Sequence, residues 1–136
     1  MIRQHTNPAF LHSGLTDQIV GAFYDTYNEL GFGFLESNYK RGLELLLKRL
    51  GLMVEREVAI EVLFQGVCVG AYRMDMVVND YVIVEVKSTK AVGIAEERQL
   101  LNYLRATRYE VGLLLHFGPK PALKRLVLTN DLKPHS

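Results

Sequence analysis

Cysteine is almost absent from this sequence. With Cys68 alone, the chain cannot form an internal disulfide bond, which favours a reducing compartment. Its neighbours Val67 and Val69 follow a strand-like pattern, so we expect this cysteine to pack as a small hydrophobic residue. The four histidines and the cysteine show no spacing that is typical of a zinc site.

Long apolar stretches are also absent. No run approaches the length needed to cross a bilayer, so the sequence predicts no contact with a membrane. The N-terminal segment (MIRQHTNPAFLHSG) lacks the apolar core of a signal peptide. We therefore expect a cytoplasmic protein.

The sequence has little excess charge and lacks two common catalytic motifs. The net charge is only +1, so a face that binds nucleic acid must arise from local clustering of basic residues. There is no Gly-rich phosphate loop and no G-x-S-x-G motif, which argues against nucleotide-dependent and esterase chemistry.

Length and composition predict one domain. A chain of 136 residues with 49% apolar and 23% charged residues is typical of a globular protein with a single core. We expect a flexible N-terminal segment over residues 1–14, one domain over residues 15–129 and a loose tail over residues 130–136.

Periodic apolar positions predict an α/β fold. Helical spacing predicts helices over about residues 16–30, 36–50 and 94–107. Alternation in the middle of the chain indicates strands that lead into a central hairpin, and the dense apolar run 111–117 is typical of a strand buried on both faces. Because a helix separates this strand from the hairpin, a right-handed parallel crossover follows. The prediction is a mixed sheet of four or five strands, an antiparallel meander plus a parallel crossover strand, flanked by helices.

The stretch from Arg73 to Lys87 (RMDMVVNDYVIVEVK) reads as that central hairpin. Three charges lie among its apolar residues: Asp75, Glu85 and Lys87. Ionised groups inside strands are costly unless they are paired or hold a metal. A two-residue turn would point Asp75 and Glu85 apart, whereas a three-residue turn would pair them directly. We predict the odd-length or bulged turn.

Two facing carboxylates and an ammonium would form a hard, oxygen-rich site. Such a site suits Mg²⁺ or Mn²⁺ rather than zinc. The alternative is a buried ion triad that only fixes the register of the strands, because structural ion pairs also perturb titratable groups. These residues alone support the metal site and the structural ion triad equally.

Two further patterns place polar groups on helices. Gly33, Glu36 and Tyr39 form a G-x-x-E-x-x-Y motif at the start of the second helix, where the helix dipole favours an acid. Gln99 and Tyr103 are four residues apart and share one face of the last helix. The ordinary interpretation of Glu36 is an acid at a helix terminus, and that of Gln99 and Tyr103 is a plain helix surface.

The hairpin charges resemble the signature of the PD-(D/E)XK nuclease superfamily. Asp75 matches its first acid, and Glu85-Val86-Lys87 matches its E-x-K. Met74 stands where the superfamily name has proline, a position that is not a metal ligand.

Three further segments are similar to those of the GxxExxY protein family within that superfamily. They are the segment Gly33–Tyr39, the Q-x-x-x-Y segment Gln99–Tyr103 and the apolar run Val111–Leu115. The resemblance covers roughly residues 16–128, which is nearly the whole chain.

The resemblance implies a restriction-endonuclease-like core and metal-dependent hydrolysis of phosphodiester bonds in DNA or RNA. Asp75, Glu85 and the carbonyl of Val86 would hold Mg²⁺ (or Mn²⁺). Lys87 would position the attacking water and offset charge on the phosphate. Glu36 would act as a supporting acid that binds a metal-bound water or a second ion.

The sequence leaves three points open. Gln99 and Tyr103 would either orient Lys87 or bind the nucleotide backbone. Arg98, Arg105 and Arg108 form a basic stripe that meets phosphates or is simply solvated. The alternative function is a catalytically silent module that binds nucleic acid or a protein, and a homodimer through the last strand would be a third arrangement.

Overall fold

The computed structural model describes residues 8–134, and it contains three α-helices and five strands. The helices are α1 (Ser13–Leu30), α2 (Glu36–Arg49) and α3 (Ile94–Ala106). The strands are β1 (Val54–Phe64), β2 (Val67–Val78), β3 (Val82–Lys87), β4 (Val111–Phe117) and β5 (Pro121–Val127). Two short 3-10 helices cover Pro8–Phe10 and Asn130–Leu132.

The strands form one mixed sheet in the order β1-β2-β3-β4-β5. The pairs β1–β2, β2–β3 and β4–β5 are antiparallel, whereas β3 and β4 are parallel. Helix α3 makes the crossover between the parallel pair, because parallel neighbours cannot be joined by a tight turn. The predicted α/β fold, with its meander and its parallel crossover strand, is confirmed.

The sheet has a hydrophobic cluster on each face. On one side α1 and α2 cover the sheet, with Phe23, Tyr39 and Leu43 fully buried against it. On the other side α3 buries Leu100 and Leu104. Strands β3 and β4 are therefore buried on both faces, as the run 111–117 predicted for β4.

The outer part of the β1–β2 hairpin extends beyond this core. We call residues 61–71 the arm, because most of them are exposed on both faces of the hairpin. The apolar side chains of Leu63, Phe64 and Val67 are each more than half exposed. Cys68 lies on the arm and is exposed, so the prediction that it is packed was wrong. Strand alternation indicates which residues share a face, but it does not indicate whether a helix covers that face.

The central hairpin turns through three residues, Asn79, Asp80 and Tyr81. The ladder runs from Met76–Val84 to Val78–Val82, which leaves these three residues in the turn. Asn79 and Asp80 have φ angles of 51° and 59°, in the left-handed region that Asn and Asp tolerate better than most residues. The predicted odd-length turn is confirmed.

Described residues near both ends of the chain make contacts with the rest of the fold. Helix α1 begins at Ser13, and Leu11 before it packs against the core. Near the C-terminus, Lys133 is buried and its Nζ donates to the carbonyls of Thr107 at 2.9 Å and Tyr109 at 2.6 Å. Residues 1–7 and 135–136 of the predicted flexible segment and loose tail lie outside the described residues.

None of the helices within residues 8–134 combines the length and the apolar character that crossing a membrane requires.

Candidate active site

The two carboxylates of the central hairpin lie where β2 and β3 stop pairing. The ladder ends at Met76–Val84. At the next position the amide of Asp75 donates to Glu85 Oε2 at 2.7 Å, and the amide of Val86 donates to Asp75 Oδ2 at 2.8 Å. Each carboxylate thus accepts a hydrogen bond from a backbone amide of the other strand. The structure brings together the two acids that the three-residue turn predicted to face each other.

Lys40 of α2 adds a cation that was not among the predicted site residues. Its Nζ lies 2.8 Å from Asp75 Oδ1 and 3.1 Å from Glu36 Oε2. The side chains of Lys40 and Asp75 are each 13% exposed, so this ion pair is largely removed from water. Burial by itself would lower the pKa of Lys40, but the hydrogen bonds and charges of Asp75 and Glu36 raise it above its ordinary value.

A signal for Lys40 is present in the sequence. It follows Glu36 by four residues, a spacing that places the two side chains on the same face of a helix. This spacing does not by itself distinguish Lys40 from the other basic residues of α2. Lys40 belongs to the site because it pairs with Asp75, which is distant in sequence. This contact between α2 and β2 depends on the tertiary fold.

Tyr39 fixes the loop that precedes Glu36. Its ring is fully buried and stacks on Phe117 with ring centroids 4.3 Å apart. Its hydroxyl donates to the carbonyl of Gly31 at 2.5 Å and accepts from the amide of Phe34 at 3.2 Å. Tyr39 therefore clamps the turn that delivers Glu36 to the first turn of α2.

Gly33 shapes the same loop. Its φ angle of 115° lies in a region that side chains other than hydrogen rarely allow. The G-x-x-E-x-x-Y spacing thus has a structural reason. The glycine permits the loop conformation, Tyr39 holds it, and Glu36 begins the helix with its carboxylate near Lys40.

Glu85 is the most buried acid of the site, with 3% of its surface exposed. Burial first, and then the charge of Asp75, raises the pKa of Glu85 to about 8. The amide of Asp75 and the charge of Lys87 act in the opposite direction. Ionising both acids together is therefore unfavourable unless a further positive charge reaches them.

Lys87 ends β3 on the side of the sheet that α3 approaches. It is half-buried, and its charge lowers the pKa of Glu85 in the hairpin and contributes to a lowered pKa for Glu96 in the first turn of α3. Glu96 has its own role, because its carboxylate accepts from the amide of Gly93 at 2.8 Å and caps the helix. The charge of Lys87 thus acts both on the acid pair and on the start of α3.

Tyr103 and Gln99 approach the acid pair from α3. Tyr103 is 5% exposed, and burial, followed by the charges of Glu85 and Asp75, raises its pKa to about 12. Gln99 acts in the opposite direction as a hydrogen-bond partner of Tyr103. The phenol is therefore a neutral hydroxyl beside two acids, and the helix surface interpretation does not fit its burial.

The donor set is that of a partial site for a hard divalent cation. Among residues 8–134 no three His, Cys, Asp or Glu side chains converge. Asp75 and Glu85 offer two carboxylates, and Val86 between Glu85 and Lys87 offers a carbonyl. Magnesium is commonly held by one or two carboxylates, with water and substrate phosphate as its other ligands. The residues present fit such an ion, whereas Glu36 touches this group only through Lys40.

Comparison with known proteins agrees with the fold. A family model described as PD-(D/E)XK nuclease superfamily matches residues 13–126. Among solved structures, the crystal structure of SSO0001 superposes with a TM-score of 0.52 at 21% sequence identity. The match covers 92% of this chain and 64% of that one, so the chain spans less than two thirds of SSO0001. The likeness concerns the fold. No curated protein gave a significant match.

Proposed function

Because the chain belongs to the PD-(D/E)XK nuclease superfamily, we propose that it hydrolyses phosphodiester bonds of nucleic acid with the help of Mg²⁺ or Mn²⁺. The observation that carries this proposal is the acid pair where β2 and β3 part. Asp75 and Glu85 lie side by side, and Glu85 carries a strongly raised pKa, the kind of perturbation that marks functional sites.

The chain's own residues have distinct tasks in this proposal. Asp75, Glu85 and the Val86 carbonyl hold the ion, and Glu36 supports its water shell from α2. When bound, a divalent ion polarises the scissile phosphate and makes hydroxide available near neutral pH. Superfamily members generally depend on such an ion, and the choice of Mg²⁺ or Mn²⁺ follows from the hard oxygen donors.

Lys87, together with Gln99 and Tyr103 of α3, acts on the substrate and the attacking water. The Lys87 ammonium holds the attacking water and offsets charge that builds up on the phosphate during cleavage. Tyr103 donates its hydroxyl proton in a hydrogen bond, since its raised pKa keeps the phenol neutral. Gln99 orients that hydroxyl, so the two residues serve as positioning groups.

The finer assignment to the GxxExxY family is part of this proposal. Its support is the loop in which Gly33 has a positive φ angle and Tyr39 bridges Gly31 and Phe34. The cytoplasmic location and the single-domain organisation stay predictions from the sequence.

Cleavage assays test the proposal. We expect the wild-type protein to cleave labelled oligonucleotides in Mn²⁺ or Mg²⁺ and to lose cleavage in EDTA. Asp75→Asn and Lys87→Met should each lower the cleavage rate by at least about a hundredfold, as removal of a charge-stabilising group does elsewhere. Asp25→Asn on the exposed side of α1 and Lys120→Met after β4 are matched controls. A folded Asp75→Asn protein that cleaves at the wild-type rate contradicts the proposal.

The silent-module alternative has one specific observation in its favour. Lys40 already pairs with Asp75, and both acids serve as acceptors for backbone amides. A site used only for structure would show these contacts too. Such a module predicts no rise in melting temperature with Mn²⁺ and no cleavage, together with binding to a partner.

A further inference from the structure

A large cleft lies between the arm and α3. Its volume is about 1140 Å³, more than a single small ligand usually occupies. The arm contributes Phe64 at its tip and β2 contributes Tyr72 at its base. Helix α3 contributes Gln99 and Tyr103, and the charges of Asp75 and Glu85 act on Tyr103. The cleft therefore extends from the arm to Tyr103, beside the candidate active site.

The cleft offers aromatic faces to solvent. Phe64 is 63% exposed and Tyr72 is 47% exposed, although both are large and lie on a strand of the sheet. The ring of Tyr72 lies 6.0 Å from the ring of Tyr103, which is buried beside the acids. A contiguous exposed apolar surface is typical of a binding site.

The charges of the cleft are mainly basic. Its charged lining consists of one acid and three bases: Glu61, Arg98, Arg105 and Lys133. Arg98 and Arg105 are exposed on α3, and neither forms an ion pair with another described residue.

The third arginine of the stripe behaves differently. Arg108 pairs with Asp80 at 2.6 Å and lies over the ring of Tyr109 at 4.9 Å. Glu97 pairs with Lys124 at 4.0 Å, and Glu96 caps α3. These two acids at the start of α3 are thus engaged elsewhere, and the positive charge of Arg98 and Arg105 remains available to the cleft.

We propose that this cleft binds an unpaired strand of nucleic acid and leads it to the acid pair. Bases stack on Phe64 at the tip of the arm and on Tyr72 at its base, while Arg98 and Arg105 on α3 contact the phosphates. This inference rests on the proposed function and adds the substrate class, a single strand or a single-stranded end.

The chemistry of the lining favours a single strand over a duplex. In a duplex the faces of the bases are covered by their neighbours, so a protein meets mainly phosphates and groove edges. Aromatic side chains beside basic ones are the arrangement by which proteins hold unpaired bases. Apolar residues such as Leu63 and Val62 would gain nothing from contact with the phosphates of a duplex.

A second copy of the chain is a poorer occupant of the same cleft. In a two-fold dimer the same patch occurs on both sides of the interface. The arginines of both copies would then enter one interface with a single acid from each copy to offset them. A polyanion satisfies both the aromatic and the basic parts of the lining.

Fluorescence anisotropy in EDTA tests the inference without any cleavage. The probes are labelled oligothymidylate and oligouridylate of about 16 nucleotides, near the upper site size of single-strand-binding folds, and a duplex of equal length. We expect at least about tenfold tighter binding of one or both single strands than of the duplex. The two single strands distinguish DNA from RNA, because only RNA presents the 2′-hydroxyl.

Two pairs of variants locate the binding surface. Phe64→Ala should weaken single-strand binding by about fivefold or more, as the loss of one stacking side chain does elsewhere, whereas Phe10→Ala, an exposed aromatic outside the cleft, should not. Arg105→Ala should lower the slope of log affinity against log salt by about 0.7. Arg49→Ala at the end of α2 is its control.

Three results would overturn the inference. One is a duplex that binds as tightly as the single strands. Another is a Phe64→Ala protein whose binding equals that of Phe10→Ala. The third is a dimer in sedimentation that Phe64→Ala dissociates, because the arm would then be a contact between copies.

Failure of the inference and failure of the proposed function are separable. Metal-dependent cleavage of duplexes that is unchanged in Phe64→Ala would keep the nuclease and remove the single-strand cleft. Tight, Phe64-dependent binding of single strands without cleavage in any divalent ion would keep the cleft and favour the silent module.

Discussion

Lys40 of α2 and Asp75 of β2 form an ion pair of 2.8 Å across the interface between helix and sheet. The ammonium lies on the Asp75 oxygen that does not accept the Val86 amide. Lys40 thus occupies an Asp75 oxygen that could otherwise bind a divalent cation. In the proposed enzyme the two cations compete for the same carboxylate.

Removal of the Lys40 charge separates its structural role from this competition. In metal-free buffer, Lys40→Met should lower the free energy of unfolding by about 1–3 kcal/mol, because Asp75 and Glu36 lose a buried charged partner. In Mn²⁺ the variant should bind the ion about tenfold more tightly, an effect of about 1.4 kcal/mol. Urea unfolding and calorimetry measure the two quantities.

The control for this variant is Lys48→Met. Lys48 pairs with Glu44 on the same helix at 3.3 Å but is well exposed, so its loss should change both quantities little. Weaker Mn²⁺ binding in Lys40→Met would show that Lys40 supports the ion and does not compete with it.

The raised pKa of Glu85 predicts a pH dependence of stability. The pKa of this acid is about 8 in the folded protein and 4.5 ordinarily, so between these values the folded state holds a proton that the unfolded state has released. Without metal, the contribution of Glu85 to stability is therefore largest below about pH 4.5 and is lost as the pH rises towards 8.

Glu85→Gln isolates this effect, because an amide keeps the acceptor for the Asp75 amide but does not titrate. From pH 5 to pH 8 the wild type should lose more than about 1 kcal/mol relative to Glu85→Gln, since one pKa unit corresponds to about 1.4 kcal/mol. Parallel stability curves for the two proteins would contradict the assignment. Added Mn²⁺ should stabilise the wild type more at the alkaline end, because the ion needs the carboxylate.

Removal of the Tyr39 hydroxyl should lower both the stability and the cleavage activity of the protein. Tyr39→Phe removes the bridge between Gly31 and Phe34, which should cost about 1 kcal/mol of stability. It should also lower cleavage, since the loop delivers Glu36 to the site. Tyr27→Phe is a matched control, because that hydroxyl donates to the carbonyl of Gly118 at 2.7 Å and not to the loop before Glu36. It should lose comparable stability and keep its cleavage rate once folded.

Local pattern and turn length were sufficient to predict the central part of the fold. The position of Asp75 opposite Glu85 follows from strand alternation once three residues form the turn. The parallel position of β4 follows from the helix between two apolar runs. Both depend on residues close in sequence or on a general rule of handedness.

The sequence did not predict the role of Lys40, the exposure of the arm or the burial of Lys133. These features depend on which helices, strands and loops contact one another in the folded chain. Lys40 is one charge among several on α2, and only its approach to β2 distinguishes it. The arm reads as an ordinary pair of strands, yet no helix of the described chain covers its tip, so Cys68 is exposed. Lys133 is buried by carbonyls of the α3–β4 connection, which lie far from it in sequence.

Calorimetric titration of Mn²⁺ into the wild type and into Asp75→Asn tests the central claim most directly, because that claim places a divalent ion on the acid pair. The account predicts a saturable heat in the wild type that is lost in Asp75→Asn and kept in the control Asp25→Asn. Equal binding by the wild type and Asp75→Asn would place the ion elsewhere and contradict the account.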